Sequence, residues 1–537
     1  MAIGASEAAA QSSAGEIHSD FNGDGYEDLA IGVPEENVGT VKNAGAVNVL
    51  YGSSSGLQTA SPADQFWHQD SPGVEDVVEI GDRFGMALAA GDFNGDGYDD
   101  LAIGVPWENS ATRNNPGAVN VLYGSAVGLQ TASPADQFWH QDGPGVDDVG
   151  EFNDYLGVSV AASDFNGDGF DDLAIGVPLE NIGSVIYAGA VNVLYGSSSG
   201  LQTTSPADQF WNQDSPGVND SAEQSDTFGG TLVAGDFNND GFGDLAIGGS
   251  LGGLGIGSGG ESPGGSVTVL YGSSSGLQTT SPADQFWNQD SPGVNDTIES
   301  GDLGRSLGSG DFNGDGYDDL AIGVPGEDIG TASDAGAVNV LYGSSSGLRT
   351  NAAGDGTGRA DQFWHQDSPG VEDAAESGDA FGYSLTTGDF NSDGHDDLAI
   401  GVVHENIGTV SDAGAVNVLY GSPVGLQTAS PADQFWHQDG PGVDDAPEVG
   451  PFCCEDFGHS LTSSDFNGDG SSDLAITVLG EDIDNAVLAG AANVLYGSSV
   501  SGLQTSSPAD QFWHQNSPGV DDAAENKQGE YFGWSLG

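Results

Sequence analysis

Basic residues and cysteines are scarce in this sequence. Lysine and arginine together number 7 in 537 residues, against 82 aspartates and glutamates, and the formal net charge is −75. A surface of that charge repels nucleic-acid phosphates and anionic lipid headgroups, and it attracts cations. We therefore expect no nucleic-acid partner. The composition is compatible with metal binding, with solubility and with adaptation to high salt, and only the spacing of the acidic residues can separate these explanations.

The cysteines and the apolar residues exclude two further classes of protein. Cys453 and Cys454 are adjacent, so a disulfide framework does not hold this fold together. The sequence contains no apolar stretch long enough to span a bilayer, and we expect no membrane insertion. Residues 1–11 lack the basic and apolar regions of a signal peptide. We expect residues 1–15 to be an N-terminal tail that is disordered or left over from a processed segment.

One nine-residue segment, Asp-Phe-Asn-Gly-Asp-Gly-Tyr-Glu-Asp at residues 20–28, recurs along the chain. Its first aspartate returns at positions 92, 164, 236, 311, 389 and 465, at intervals of 72 to 78 residues. Seven units of that size occupy residues 16–537 almost completely. This periodicity predicts a single domain that is built as a repeat array.

Each unit predicts four short strands. In the second unit they cover residues 84–88, 101–106, 118–123 and 137–140, which are rich in β-branched and aromatic residues and bounded by turn residues. We find no persuasive helical period in the sequence. Four strands in each of seven units predict an all-β fold, a seven-bladed β-propeller with four antiparallel strands per blade.

The first unit lacks its first strand. The other six units carry Phe-Gly or Leu-Gly ahead of the nine-residue segment, whereas Ser12 and Ser13 hold those places before Asp20. The missing pattern occurs at the other end of the chain, in residues 532–536. We expect this C-terminal strand to complete the first blade and close the ring, because an open ring leaves sheet edges exposed. The alternative is an array that is cut within a repeat.

The nine-residue segments have the ligand spacing of a calcium loop. Oxygen side chains fall at positions 1, 3, 5 and 9, position 6 is glycine, and position 7 can offer its backbone carbonyl. Hard oxygen ligands at these offsets favour Ca²⁺ over Mg²⁺, and seven loops predict about seven Ca²⁺ ions. The alternative is a turn rich in Asp and Asn that holds no metal. The predicted ligands are Asp20, Asn22, Asp24, Tyr26, Asp28, Asp92, Asn94, Asp96, Tyr98, Asp100, Asp164, Asn166, Asp168, Phe170, Asp172, Asp236, Asn238, Asp240, Phe242, Asp244, Asp311, Asn313, Asp315, Tyr317, Asp319, Asp389, Asn391, Asp393, His395, Asp397, Asp465, Asn467, Asp469, Ser471 and Asp473.

These motifs resemble the FG-GAP repeat family, whose best-known members are the N-terminal propellers of integrin α subunits. The likeness is carried by Phe84-Gly85, by residues 91–106 and by residues 117–124. The linker Gly-Leu-Gln-Thr…Asp-Gln-Phe-Trp is more similar to bacterial FG-GAP proteins. The resemblance implies seven blades, Ca²⁺ in the hairpin between the first two strands of a blade, and ligand contacts on the opposite face.

The sequence favours a binding module over an enzyme. It contains no recognisable catalytic constellation, so we expect no enzymatic activity. Variation among the repeats concentrates in the loops opposite the predicted calcium loops, where we expect a protein or glycan ligand to bind. We expect a monomer that is secreted or displayed on the cell surface and serves in recognition or adhesion. The alternatives are an accessory or catalytic propeller of a secreted hydrolase or lyase, and a purely structural spacer.

One tryptophan recurs at the same place in the fourth strand of every unit. Packing within or between blades is the simpler interpretation, and a platform for stacking sugars is the alternative. These residues are Trp67, Trp139, Trp211, Trp287, Trp364, Trp436 and Trp513.

Overall fold

The described part of the chain forms seven antiparallel sheets of four strands, which confirms the predicted seven-bladed propeller. The N-terminal tail and Cys453 lie outside this part. The Sγ atom of Cys454 donates a hydrogen bond to Asp412 Oδ2 at 3.8 Å. Within the described residues, no helix has the length and apolarity needed to cross a bilayer. The computed structural model describes residues 19–110, 113–249, 265–294, 302–350, 361–443, 447, 454–520 and 529–537.

The strands follow the repeat. Blades 1 to 4 contain β1 (Leu29–Val33), β2 (Ala46–Leu50), β3 (Gln65–Trp67); β4 (Leu88–Gly91), β5 (Asp100–Val105), β6 (Ala118–Leu122), β7 (Gln137–Trp139); β8 (Val160–Ser163), β9 (Asp172–Val177), β10 (Ala190–Leu194), β11 (Gln209–Trp211); β12 (Thr231–Gly235), β13 (Asp244–Gly248), β14 (Val267–Leu270) and β15 (Gln285–Trp287). Blades 5 to 7 contain β16 (Leu307–Gly310), β17 (Asp319–Val324), β18 (Ala337–Leu341), β19 (Gln362–Trp364); β20 (Phe381–Gly388), β21 (Asp397–Val402), β22 (Ala415–Leu419), β23 (Gln434–Trp436); β24 (Phe457–Ser464), β25 (Asp473–Val478), β26 (Ala491–Leu495) and β27 (Gln511–Trp513), and β28 (Ser535–Leu536) belongs to blade 1.

The hydrophobic core lies between neighbouring blades. Side chains alternate along a strand, so β5 sends Leu101 and Ile103 into a cluster with Val47 and Val49 of blade 1. The intervening Ala102 packs into the next cluster, toward blade 3. The second and third strands are therefore buried on both faces, which explains their almost unbroken apolar sequences.

The ring closes as predicted. Strand β28 pairs with β1, with Ile31 opposite Leu536, and the backbones of Ala30 and Gly537 exchange two hydrogen bonds of 2.8 and 3.0 Å. Phe532 is fully buried in the core between blades 7 and 1. The C-terminal strand thus occupies the place of the first strand that blade 1 lacks.

The first strand begins later than predicted in most blades. In blade 2 it begins at Leu88 rather than at Phe84, because Gly85 has a φ of +88° that interrupts an extended strand. Phe84 instead donates its backbone N–H to Ala44 in a loop of blade 1. In blades 6 and 7 the strand does reach back to the phenylalanine, and the irregularity becomes a shift in register.

Two sets of loops emerge at opposite ends of the antiparallel sheets. One end carries the nine-residue segments, here called the Asp loops, and the loops between third and fourth strands, such as residues 123–136. We call this end the Asp-loop face. The other end, the variable face, carries the loops between second and third strands, such as residues 106–117, and the connections into the next blade, such as residues 68–87.

Candidate metal-binding loops

The first aspartate of each Asp loop organises the backbone of that loop. In blade 2, Asp92 Oδ1 accepts a hydrogen bond from the amide of Asp96 (3.1 Å), and Oδ2 accepts one from Gly97 (2.9 Å). The bond from the glycine at position 6 is present in all seven loops. Gly97 has a φ of +86°, so this turn requires a residue without a side chain.

Positions 3 and 9 meet at the base of the loop. Asp100 is completely buried, and it accepts hydrogen bonds from Asn94 Nδ2 (3.1 Å) and from the backbone amide of Gly124 (2.8 Å). The bond between the asparagine and the aspartate recurs in every blade. Because Asn94 turns its NH₂ group to Asp100, its carbonyl oxygen is directed away from Asp100 and is available to another partner.

Burial makes the ninth aspartate a poor place for an unpaired negative charge. Loss of solvation, together with repulsion from the first and fifth aspartates of each loop, raises the pKa of Asp28, Asp100 and Asp172 to about 9. The same causes raise the pKa of the other four well above its usual range, at Asp244, Asp319, Asp397 and Asp473. Each loop is thus stabilised by a proton or by a cation.

The donor set of the Asp loops fits Ca²⁺. Each loop offers three carboxylates, one side-chain amide oxygen and the carbonyl of position 7, and it contains no lysine or arginine that would compete for them. Ca²⁺ takes six to eight oxygens at about 2.3–2.6 Å, so ligands on opposite sides of the ion can lie about 5 Å apart. The residues at positions 1, 3, 5, 7 and 9 would hold the ion. The role of these residues as metal ligands stays a prediction. The structure brings the five residues together within each loop.

We expect metal-free protein to be more stable at pH 5 than at pH 8. The folded carboxyls at position 9 keep protons to a pKa of about 9, whereas unfolded aspartate titrates near a pKa of about 3.9, so the folded state binds more protons between these values. The free energy of unfolding then falls as the pH rises through that window. Melting curves of metal-stripped protein in metal-free buffer measure this effect.

The matched control for this experiment is Asp100→Asn, which keeps the shape of the side chain and cannot titrate. Since general repulsion across the chain also falls at low pH, only the difference between the two proteins reports on the buried carboxyl. The variant should show a shallower loss of stability between pH 5 and pH 8. A metal-free protein whose melting temperature rises over that range would contradict the expectation.

The side chain at position 7 has a role that the sequence did not reveal. Tyr98 packs directly on Gly23 of the preceding loop, where an added Cβ would lie 2.5 Å from its ring. In blade 7 this position is Ser471, and the preceding loop has Ser392 in place of the glycine; their hydroxyls are hydrogen-bonded at 2.5 Å. Position 7 can therefore offer its backbone carbonyl to an ion while its side chain joins neighbouring loops.

Position 8 also links blades. Asp99 Oδ2 accepts a hydrogen bond from the backbone amide of Asp20 in the preceding loop at 2.9 Å, and its own amide donates to the Asp20 carbonyl at 3.3 Å. The same carboxylate contact is made by Asp171, Asp318 and Asp396. Sequence analysis missed this residue, although an acidic side chain in five of the seven repeats at position 8 was a usable signal.

A second set of links lies on the variable face. Gln69 follows strand β3 of blade 1, and its Nε2 donates to Glu108 Oε2 of blade 2 at 2.8 Å, with both residues buried. A glutamine after Trp-His or Trp-Asn recurs in every repeat, which was the signal for this contact in the sequence. The equivalent pairs are Gln141–Glu180, Gln289–Glu327, Gln366–Glu405, Gln438–Glu481 and, across the closure, Gln515–Glu36.

The recurring tryptophans pack between blades. Trp67 is half-buried against the core shared by blades 1 and 2, and each of the other six contacts the corresponding core. The indole of Trp67 also donates to Gln65 Oε1 at 3.4 Å. The packing interpretation is confirmed.

The fold and these loops define a β-propeller built from repeats with aspartate-rich hairpin loops, and comparison with known families identifies the repeat. The family model described as FG-GAP repeat matches residues 18–50, 84–122, 156–194, 303–341, 381–419 and 457–495, which are segments of every blade except blade 4. The chain therefore contains FG-GAP repeats, as the sequence motifs predicted.

Curated relatives with similar sequences fall into two groups. Phosphatidylinositol-glycan-specific phospholipase D from Bos taurus is 36% identical over 170 residues, which cover 31% of this chain and 18% of the relative. Integrin alpha-5 from Xenopus laevis is 29% identical over 251 residues, which cover 46% of this chain and 20% of the relative. The matched part of this chain thus spans about a fifth of the length of these relatives.

Among solved structures, the exotype rhamnogalacturonan lyase YesX aligns with 94% of this chain and 72% of its own, at 11% identity and a TM-score of 0.35. A similarity this low supports no inference about activity.

Proposed function

We propose that this protein is an extracellular, non-enzymatic recognition module whose propeller is stabilised by calcium. The Asp loops serve as structural Ca²⁺ sites, because their oxygen donors surround a buried aspartate that is costly to leave charged without a cation. The variable face, at the opposite end of the sheets, binds a protein or glycan ligand. The relatives among integrin α subunits support this proposal, since such chains also carry FG-GAP repeats.

Exposed apolar side chains on the variable face carry the proposal for ligand binding. Of the nine large apolar residues that the described part of the chain leaves exposed, six lie in variable-face loops around blades 2 and 3. Exposed apolar side chains that gather on one part of a surface often mark an interaction site. The six are Val77, Ile80, Val149, Phe152, Ile186 and Tyr187.

Aromatic and basic residues gather in the same sector. The guanidinium of Arg83 lies 4.3 Å from the ring centroid of Trp107, and that ring lies 5.4 Å from Tyr155. Tryptophan, tyrosine and arginine are the residues that most often dominate binding energy at interfaces.

We expect Phe152→Ser to weaken ligand binding about tenfold, as removal of a central aromatic contact usually does. The measurement is binding of the purified, labelled chain to a glycan array and to an array of purified extracellular proteins, each in 2 mM Ca²⁺ and in EDTA. The matched control is Val424→Ser, because Val424 is also an exposed apolar residue but lies on the Asp-loop face. Equal binding by both variants, or no ligand on either array, would contradict the proposal.

The phospholipase D relatives favour a second candidate function. A propeller that covers about a fifth of such an enzyme could serve as its accessory domain, positioning a catalytic domain on its substrate. Turnover assays on phosphodiesters and polysaccharides with this chain test whether it has catalytic activity of its own, and we expect none.

A further inference from the structure

Three carboxylates meet at each of two blade junctions on the variable face. In each group, one oxygen of every residue lies within 4.8 Å of the corresponding oxygens of the other two. In the part of the chain that the structure describes, no Asp loop brings three carboxylates that close together. The first cluster consists of Glu79, Asp82 and Glu108, and the second cluster consists of Glu151, Asp154 and Glu180.

The buried aspartate of each cluster has an oxygen without a hydrogen-bond donor. Asp82 is completely buried; its Oδ2 accepts a bond from the amide of Glu79 at 2.5 Å, whereas its Oδ1 accepts none. Asp154 is equally buried, its Oδ2 accepts a bond from the amide of Glu151, and its Oδ1 again accepts none. An unsatisfied buried oxygen costs roughly 1–3 kcal/mol. Asp379 Oδ1 of blade 6 shares this defect, but among the described residues only Asp82 and Asp154 have two further carboxylates close enough to share a cation with them.

The surroundings of the first cluster are acidic. Burial is the largest cause that raises the pKa of Asp82 to about 7 and that of Glu108 to about 9, and the nearby charge of Asp76 raises both further. Arg83 follows Asp82 in the chain but forms an ion pair with Glu35 at 2.6 Å. The adjacent Arg83 therefore does not supply the positive charge that would balance the carboxylates of the first cluster.

A route for a small ion leads to Glu108. A cavity of about 200 Å³ lies between blades 2 and 3 on the variable face, and Asp76 and Glu108 form part of its wall with Asn109 and Ser110. Glu79 is itself exposed, so an ion in solvent can reach its carboxylate, which lies close to that of the buried Asp82.

We propose that each of these two clusters binds one divalent cation, separately from the Asp loops. The ligands are all carboxylate oxygens, which suit Ca²⁺ and Mg²⁺. Glu79 and Asp82 lie on the connection that enters blade 2, and Glu108 lies on the loop after its second strand. The ion therefore fixes the variable-face loops of one blade to each other. The positive charge of Arg113 acts on Asp154, so the second cluster binds its ion more weakly.

The test is a count of bound metal on the full chain. Equilibrium dialysis against Ca²⁺ at saturating concentration in 150 mM NaCl, followed by elemental analysis, is expected to give about nine ions per chain, seven from the Asp loops and two from the clusters. Glu108→Gln and Glu180→Gln should each remove one ion, and the double variant should remove two.

Glu79→Gln, at an exposed residue that does not contribute to the core, should weaken one site about tenfold. Repeating the dialysis with Mg²⁺ identifies which ion the clusters prefer.

The matched control is Glu405→Gln in blade 6. Glu405 accepts the equivalent bond from Gln366 at 2.6 Å, but it belongs to neither cluster, so this variant should keep the full number of ions. A double variant that binds as much metal as the parent, or a Glu405→Gln variant that loses as much, would overturn the inference. If the Asp loops bind nothing, the parent holds about two ions and the double variant none, which would refute the proposed calcium loops and leave the clusters standing.

Discussion

Addition of 1 mM Ca²⁺ to metal-free protein is expected to raise its melting temperature by about 9 °C. With a Kd of about 10⁻⁴ M, each Asp loop gains about 1.4 kcal/mol, or about 10 kcal/mol for seven independent loops. Unfolding entropy of about 2.1 cal/mol/K per residue amounts to about 1.1 kcal/mol/K for a chain of this length, which converts that gain into the stated shift. Differential scanning calorimetry at fixed ionic strength measures it.

The charge of the chain explains why the effect should be specific for a divalent ion. Twenty-one of the 82 acidic residues occupy positions 1, 5 and 9 of the Asp loops, and seven divalent ions carry fourteen positive charges, which would bring the formal charge from −75 to −61. Asp96→Ala should lose about one seventh of the calcium-dependent shift, because the other loops remain intact. Melting curves that coincide in EDTA and in Ca²⁺ would instead indicate an acidic surface adapted to high salt.

Deletion of residues 530–537 is expected to lower the melting temperature by at least ~4 °C at any calcium concentration. The deletion removes strand β28, exposes the edge of β1 and empties the buried position of Phe532. Loss of a buried phenylalanine alone costs about 3–5 kcal/mol, and the unpaired strand edge adds to that cost. Thermal unfolding of the truncated chain, compared with the parent, checks the expectation.

A conservative change at the same place separates closure from simple loss of side chains. Leucine occupies the equivalent position in blades 3 and 5, where Leu156 and Leu303 are both buried. Phe532→Leu should therefore lower the melting temperature by less than ~2 °C, as expected for apolar substitutions that nearly conserve volume. A truncated chain that melts with the parent would show that β28 does not hold the ring closed.

The repeat made the fold predictable from the sequence, because seven copies of the same pattern average out the ambiguity of any one strand. The second strand of blade 2 was predicted as residues 101–106 and is Asp100–Val105, and the closing strand was found by the absence of its pattern before Asp20. The first strand was placed too early because a Phe-Gly pair looks like the beginning of a strand, and only the backbone shows that Gly85 bends it.

The contacts between blades could not be predicted in the same way. Gln69 and Glu108 are 39 residues apart in the sequence and belong to different blades, so no local spacing connects them. The same is true of Asp99, which belongs to an Asp loop by sequence and bonds to the backbone of Asp20 in the preceding loop. The ligand pattern within each loop is local, and for this reason the sequence could propose it residue by residue.

Blade 4 differs from its neighbours at both kinds of link. Position 8 of its Asp loop is Gly243, which has no carboxylate to offer to blade 3, and Gly252 stands where the other six blades have the glutamate that follows their second strand. The junction across the chain ends, by contrast, keeps the bond between Gln515 and Glu36. Under mechanical load, the propeller should therefore part first between blades 3 and 4, well away from the two chain ends. We therefore expect the joint that the polypeptide leaves covalently open to resist separation better than the joint between blades 3 and 4.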